Sequence, residues 1–184
     1  MKNFIWKGIC MSLEVVLTED EIKKKVIEIG EKITRDYEEK ELVLIGVLKG
    51  GVIFLADLVR NVKIPIEIDF IAVSSYGNDT KSSGVVKILK DIDITITNKH
   101  VLIVEDIIDT GLTLKHLKEL LQTRLPKSVK ICTIFDKPTK RVVDIDIDYN
   151  GIILEDRFVV GYGLDYSEKY RNLPDLCILV DESV

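Results

Sequence analysis

The sequence predicts an α/β fold with a mostly parallel central sheet flanked by helices and a small hood subdomain. Two patterns support this prediction. Short apolar runs typical of buried strands alternate, across residues 40–136, with segments whose apolar side chains have helical spacing. The acids and small polar residues at 105–113 then read as a loop between a strand and a helix N-terminus. The 184 residues suit a single domain, with a core of about 40–136 and a hood from about 1–20 and 137–184.

Helices and strands can be placed in order along the first half of the chain. Thr18 and Glu21 fit a capping box, and apolar side chains at helical spacing follow it as far as Tyr37. A strand is predicted at 41–48, a helix at 50–62, a strand at 66–73 and a strand at 85–89. The small and polar residues 74–84 indicate a long loop, and loops of that length are often functional.

The second half begins with a strand predicted at 101–104, which leads through the acidic loop into a helix at 113–124. Further strands are predicted at 129–135, at 142–149, near Ile152, near Phe158 and at 176–180. Residues 142–149 alternate aspartate with apolar side chains. Period two is the spacing of a strand, so we interpret these acids as one solvated face rather than as a metal cluster.

Composition excludes several classes of function. The net charge is −5, whereas binding to nucleic acid favours a basic surface. No apolar run approaches the ~18 residues that a membrane span needs. The three cysteines, Cys10, Cys132 and Cys177, are far apart and form no CxxC pair. We therefore expect reduced thiols in a cytoplasmic protein that acts on small molecules.

The most informative chemistry lies in residues 101–113, Val-Leu-Ile-Val-Glu-Asp-Ile-Ile-Asp-Thr-Gly-Leu-Thr. Glu105 and Asp106 follow the apolar run, at the sheet edge where open α/β folds bind ligands. The Thr-Gly-Leu-Thr run at 110–113 offers hydroxyls and backbone N–H groups at a helix start, which suit a phosphate. Carboxylates for hydroxyls and amides for a phosphate together favour a phosphorylated sugar.

Two further segments suit ligand binding. Gly46–Gly51 follows the first core strand, and its paired glycines allow a sharp turn with N–H groups free for an anion, although such a turn is also a common tight connection. Residues 156–171 interleave aromatics, glycines, acids and cations. Phe158 in this run could stack on a planar base or pack in a core. Lys137 ends a strand, which places it at the ligand edge.

Taken together, these segments resemble the hypoxanthine-guanine phosphoribosyltransferases, a family of type I phosphoribosyltransferases. The resemblance rests on these residues, in this order: Gly46–Gly51, the Ser75-Tyr76 loop, Glu105–Thr113, Lys137 and Phe158–Asp165. It covers the chain from about Glu14. It implies purine salvage, in which the 5-phosphoribosyl group of 5-phosphoribosyl 1-diphosphate is transferred to N9 of hypoxanthine or guanine, with Mg²⁺ as cofactor.

The resemblance also implies individual roles. Asp109 is expected to be the general base that accepts the purine N7 proton. The other expected contacts are ribose hydroxyls and metal for Glu105 and Asp106, a second metal for Asp165, the 5′-phosphate for Thr110, Gly111 and Thr113, pyrophosphate for Lys49, Gly50 and Arg171, and the purine for Ile107, Lys137, Phe158 and Val159. Ser75 and Tyr76 are expected to form a lid, and the Leu48–Lys49 peptide bond is expected to be cis.

Two alternatives stay open at this point. One is a phosphoribosyltransferase for another base, such as xanthine or uracil. The other is a non-catalytic sensor of phosphoribosyl diphosphate, since fold alone does not fix function. A sensor would usually carry an added DNA-binding domain and a basic surface, and neither the length nor the charge of this chain fits that. The resemblance suggests a homodimer or homotetramer, and closed symmetric assemblies of identical chains are also the general expectation for soluble oligomers.

Overall fold

The computed structural model describes residues 2–6, 9–75 and 86–181. In chain order they form strands β1 (Lys2–Trp6) and β2 (Ile9–Leu17), helix α1 (Glu19–Asp36), strand β3 (Leu42–Leu48), helix α2 (Gly51–Asn61), strands β4 (Ile66–Ser75), β5 (Val86–Lys90) and β6 (His100–Ile108), helix α3 (Leu112–Gln122), strand β7 (Ser128–Asp136), a 3-10 turn (Pro138–Lys140), and strands β8 (Tyr149–Ile153), β9 (Val159–Val160) and β10 (Leu176–Asp181).

The central sheet has six strands in the order β5-β4-β3-β6-β7-β8. Every neighbouring pair is parallel except β4 and β5, which are antiparallel. Alternate residues of β3 pack on opposite faces: Leu42 and Leu44 join the core under α1 and α2, whereas Val43 and Ile45 join the core under α3. Burial on both faces explains the continuous apolar runs of the sequence, and the predicted α/β fold is confirmed.

A second, smaller sheet has the order β1-β2-β10-β9, with all neighbours antiparallel. We call it the small sheet. Its strands come from residues 2–17 and 159–181, the two ends of the chain. The loop between β9 and β10, residues 161–175, is carried by this sheet and returns to the carboxyl edge of the central sheet, where Gly163 contacts Gly50.

Helix α1 begins where the capping box predicts. The hydroxyl of Thr18 accepts a hydrogen bond from the N–H of Glu21, and the Glu21 carboxylate accepts one from the N–H of Thr18 at 2.8 Å. The apolar positions that follow at helical spacing are buried against the sheet. No described helix has the length and apolar character to span a membrane. Cys132 and Cys177 are buried, and neither is joined in a disulfide.

The predicted strand at 142–149 is wrong. Residues 142–148 form no ladder, and β8 begins at Tyr149. Ile145 and Ile147 pack against the core under α3, while the carboxylate of Asp148 accepts the N–H of Ile131 at 3.0 Å. The alternation therefore reflects a segment with one face against the core, whose backbone reaches β7 at Asp148, where the N–H donates to the carbonyl of Ile131 at 3.0 Å. Exposure of Asp144 and Asp146 agrees with a solvated acidic face.

Two boundaries also differ from the prediction. Strand β6 extends to Ile108, so Glu105 and Asp106 lie within its last four residues rather than after its end. Strand β4 extends to Ser75, so the predicted loop at 74–84 starts later than expected. Tyr76 and the rest of that loop lie outside the described residues, as does the side chain of Ser75.

Candidate active site

A cleft of about 290 Å³ opens at the carboxyl edge of the central sheet. Its walls include these residues of the predicted site: Glu105, Asp106, Ile107, Asp109, Thr110, Gly111 and Thr113. The position follows from the topology, because β3, β4 and β6 are parallel neighbours whose carboxyl ends meet at one edge. A larger cavity of about 420 Å³, between α1, α2 and residues 171–174, shares only Arg171 with the predicted site.

Glu105 and Asp106 place two adjacent carboxylates at the base of the cleft. Burial raises the pKa of Glu105 well above its ordinary range, and the charge of Asp106 raises it further. Burial also raises the pKa of Asp106, although the N–H of Ile107 donates to its carboxylate at 2.8 Å. Two desolvated carboxylates side by side favour a ligand that brings positive charge or hydroxyl donors.

The turn after β3 contacts both the acidic strand and the loop after β9. The Leu48–Lys49 peptide bond is cis, as predicted. A Cβ on Gly50 would lie 1.7 Å from an Asp106 carboxylate oxygen, so this position accepts no side chain. Gly163 has a φ of 99°, and a Cβ there would lie 2.3 Å from the Gly50 carbonyl oxygen. The turn therefore packs against the Asp106 carboxylate and against the backbone of the loop after β9, two segments far from it in sequence.

The two cations predicted for pyrophosphate lie at this end of the site, and both contact one carboxylate. Lys49 Nζ is 2.9 Å from Glu168 Oε2, and Arg171 Nη2 is 3.5 Å from the same oxygen. Arg171 is also held by Asp165 at 2.8 Å and by the carbonyl of Gly163 at 2.8 Å. The Lys49 ammonium lowers the pKa of Glu168. Sequence reasoning missed Glu168, although its spacing of three from Arg171 is that of an ion pair within one turn.

The other end of the cleft holds the residues predicted for the purine. Lys137 Nζ lies 3.8 Å from Asp109 Oδ1 and donates to the carbonyl of Arg157 at 2.7 Å. The Lys137 side chain is only 8% exposed, whereas that of Asp109 is 53% exposed. Phe158 follows Arg157, is largely exposed, and lies edge-on to the ring of Tyr166 with centroids 5.8 Å apart. A fixed cation, an accessible carboxylate and an exposed ring thus stand together.

The remaining predicted residues fall in three groups. Val159 is buried in β9, with its backbone next to Phe158. Gly111, with a φ of 82°, precedes α3, and the N–H of Leu112 donates to the Thr110 hydroxyl at 3.4 Å. Asp165, predicted to bind a second metal ion, pairs with Arg171 at 2.8 Å. The described residues contain no cluster of three metal-type ligands.

Sequence reasoning also missed Arg141. Its guanidinium donates to the carbonyl of Asp109 at 3.1 Å and pairs with the carboxylate of Asp136. Nothing in the local sequence separates this arginine from Lys140, which pairs with the exposed Asp156. Only the tertiary structure shows that Arg141 turns inward to the loop after β6.

Comparison with known proteins agrees with this geometry. The family model described as the phosphoribosyl transferase domain matches residues 13–167. The hypoxanthine-guanine phosphoribosyltransferase of Bacillus subtilis is 51% identical over 166 residues, covering 90% of this chain and 92% of the relative. That of Streptococcus pyogenes is 48% identical over 92% of this chain and 94% of the relative. The crystal structure of a hypoxanthine phosphoribosyltransferase from Staphylococcus aureus superposes with a TM-score of 0.88 at 49% identity, covering 91% of each chain.

The fold, the cleft at the carboxyl edge and these similarities lead to one assignment. A family model that spans most of the chain and relatives at about half identity agree on it. The chain belongs to the phosphoribosyl transferase domain family and, within it, to the hypoxanthine-guanine phosphoribosyltransferases.

Proposed function

We propose that this protein transfers the 5-phosphoribosyl group of 5-phosphoribosyl 1-diphosphate to N9 of hypoxanthine or guanine, giving IMP or GMP and pyrophosphate. The observation that supports this most directly is the placement of Lys137 beside Asp109, with Nζ and Oδ1 3.8 Å apart at one end of the cleft. This reaction serves purine salvage, because it returns free bases to the nucleotide pool.

The pair Lys137 and Asp109 matches one edge of a 6-oxopurine. O6 and N7 lie on the same edge of the ring, and O6 is an acceptor. When N9 is the nucleophile, N7 carries the imidazole proton and is a donor. A fixed ammonium for O6 and a carboxylate for the N7 proton complement that edge. Adenine places an amino donor where O6 would be, so it would face the lysine with the wrong polarity.

The reaction then needs one bond made, one broken and one proton moved. The N9 lone pair attacks C1′ of the ribose, and the C1′–oxygen bond to the diphosphate breaks with its electron pair on the leaving group. The N7 proton moves to the carboxylate of Asp109, which acts as general base. Phe158 stacks on the base, Ile107 lies on its other face, and the backbone of Val159 reads its far edge.

The 5′-phosphate and the diphosphate of the substrate fit different parts of the site. Thr110, Gly111 and Thr113 surround the start of α3 and receive the 5′-phosphate, as helix N-termini favour anions. Lys49, Gly50 and Arg171, where the turn after β3 meets the loop after β9, receive the diphosphate. Ser75 and Tyr76 close as a lid, which keeps water from hydrolysing the activated ribose.

Mg²⁺ fits the donor set at the base of the cleft. Glu105 and Asp106 are hard oxygen donors, and burial raises the pKa of both carboxyls, so a divalent cation would stabilise their ionised form. Magnesium is commonly held by one or two carboxylates together with substrate phosphates and waters, so a cluster of three protein ligands is not required. When bound, the ion neutralises the leaving diphosphate. Asp165, whose carboxylate pairs with Arg171 at 2.8 Å, would hold a second ion.

The proposal also covers the compartment, the oligomeric state and the partners of the enzyme. Buried reduced thiols suit the cytoplasm. We expect a homodimer or homotetramer, and small molecules as substrates rather than nucleic acid or membrane. The small sheet and the loop between β9 and β10 act as the hood over the purine.

The test is a transfer assay with hypoxanthine and phosphoribosyl diphosphate, with and without Mg²⁺, in which IMP and pyrophosphate are measured together. We expect equal amounts of both products and a requirement for the metal. Tight binding of phosphoribosyl diphosphate without any product, from any purine or pyrimidine base, would indicate the sensor and refute the proposal.

A further inference from the structure

We infer that Arg141 is a positioning residue that aims the backbone amides of the 5′-phosphate loop at the phosphate. The inference rests on the proposed function, since it takes residues 110–113 as the phosphate site. Arg141 is not among the residues that line the cleft. It acts through the backbone of the loop.

Three successive carbonyls at the end of β6 and in the loop after it accept hydrogen bonds from the segment after β7. The carbonyl of Ile108 accepts from the N–H of Lys137 at 3.0 Å, and that of Thr110 accepts from the N–H of Val142 at 3.1 Å. Between them, the carbonyl of Asp109 accepts from Arg141 Nε at 3.1 Å. The outer two bonds come from backbone, and only the middle one depends on a side chain.

These bonds fix the direction of the amides. In a trans peptide the C=O of one residue and the N–H of the next point to opposite sides of the chain, and the one cis bond among the described residues is Leu48–Lys49. The N–H of Thr110 therefore points away from Arg141. By the same argument, the N–H of Asp109 points away from Lys137 and that of Gly111 points away from Val142. The same residues line the cleft. Arg141 controls the peptide that carries the Thr110 N–H.

Arg141 is held rigidly enough to do this. Its guanidinium pairs with the buried carboxylate of Asp136, and the two side chains are 17% and 6% exposed. Asp136 also accepts from Asn150 Nδ2 at 2.8 Å. The Arg141 Cδ packs against Gly111, where a Cβ would come within 2.9 Å. A planar guanidinium can pair with the acid through one nitrogen and donate to the carbonyl through another, which a lysine cannot do.

The test uses Arg141→Lys, which keeps a cation beside Asp136 and lacks the Nε donor. Lys140→Met is the matched control, because Lys140 is the adjacent cation and pairs outward with Asp156. Affinities for IMP, for inosine and for magnesium pyrophosphate are measured by calorimetry, and kcat and KM are measured for phosphoribosyl diphosphate. Thermal unfolding is recorded for each protein.

We expect Arg141→Lys to lower the affinity for IMP at least tenfold. The affinities for inosine and for magnesium pyrophosphate should change less than twofold. The KM for phosphoribosyl diphosphate should rise by a factor similar to that for IMP, with a smaller change in kcat. Lys140→Met should match the wild type. Arg141→Met should show the same selective loss if it folds, and Arg141→Lys carries the test if it does not.

Unchanged IMP affinity in Arg141→Lys would overturn the inference, and so would a parallel loss of IMP, inosine and pyrophosphate, which marks a merely structural residue. Failure of the proposed function looks different. In that case the wild-type protein itself would neither bind IMP nor transfer the phosphoribosyl group, whereas failure of the inference alone leaves an active wild type.

Discussion

The side-chain nitrogen of Lys137 lies 3.8 Å from a carboxylate oxygen of Asp109, although the two side chains differ sharply in exposure. Lys137 is fixed by its bond to the Arg157 carbonyl, whereas Asp109 faces the cleft. A rigid donor beside an accessible acceptor is an arrangement that recognises a ligand edge and also receives a proton from it. In the proposed mechanism the pair links base choice to catalysis.

Asp109→Asn should lower kcat by about a hundredfold or more, since loss of a general base commonly costs 10²–10⁴ in rate. Binding of magnesium pyrophosphate should be unchanged, because the residues proposed for it lie on the turn after β3 and the loop after β9, not on the loop after β6 that carries Asp109. Steady-state kinetics over a range of pH measure the first effect and calorimetry the second. Asp144→Asn, at an exposed aspartate outside the cleft, is the control. Near-normal turnover with an unaltered pH profile would exclude the general-base role.

Lys137→Met should relax the preference for 6-oxo over 6-amino purines by about tenfold or more, because a buried hydrogen bond to a charged donor contributes about 1.5–3 kcal/mol. Most of the change should appear in the KM for hypoxanthine. The measurement is kcat/KM for hypoxanthine and for adenine, with Lys140→Met alongside. If the ratio of the two values stays at the wild-type level, another group reads position 6.

Glu168→Gln should strengthen pyrophosphate binding about two- to fivefold, since Glu168 pairs with both Lys49 and Arg171 and must release them to the ligand. The factor is small because exposed ion pairs are weak, and it should shrink further as salt is added. Calorimetric titration at two ionic strengths measures it. Glu155→Gln, at an exposed glutamate between β8 and β9, is the control. Weaker binding in Glu168→Gln would mean that Glu168 orients Arg171 instead.

Asp69→Asn should destabilise the fold at neutral pH by about 1–3 kcal/mol, the cost of weakening buried hydrogen bonds to a charged acceptor. Burial opposes ionisation of Asp69, but the N–H groups of Phe70, Ile94 and Asp93 hold its pKa below the ordinary value. A lowered pKa stabilises the folded state above the unfolded pKa of about 3.9 and loses that contribution as pH falls through the folded pKa.

Urea unfolding from pH 7 to pH 3 checks this prediction. The difference between the wild type and Asp69→Asn should narrow as pH falls below about 4, within the window set by the two pKa values. Asp93→Asn, at an exposed acid next to the same bonds, should cost less. A constant difference across the whole range would show that the Asp69 charge does not contribute.

Much of the fold was predictable from local pattern. The capping box at Thr18 marked the start of α1, and the buried runs marked the parallel strands, because strands covered on both faces are apolar throughout. The prediction at 142–149 failed because period two shows which face is buried and not whether a neighbouring strand is present. The end of β6 was misplaced because acids at a ligand edge interrupt an apolar run without ending the strand.

The site was predictable where a motif carries its own chemistry, as at Glu105–Thr113. It was not predictable where a residue acts through contacts that the fold creates. Glu168 and Arg141 sit among other charged residues, and their partners Lys49 and Asp109 are distant in sequence. Charge alone does not distinguish such residues from solvated ones.

The most direct test of the proposed base recognition is kcat/KM for hypoxanthine, guanine, adenine and uracil with phosphoribosyl diphosphate and Mg²⁺. We predict efficient transfer to hypoxanthine and guanine, and values at least a hundredfold lower for adenine and uracil, because Lys137 and Asp109 complement the O6 and N7 edge. Comparable use of adenine or uracil, or no transfer to hypoxanthine, would contradict the account.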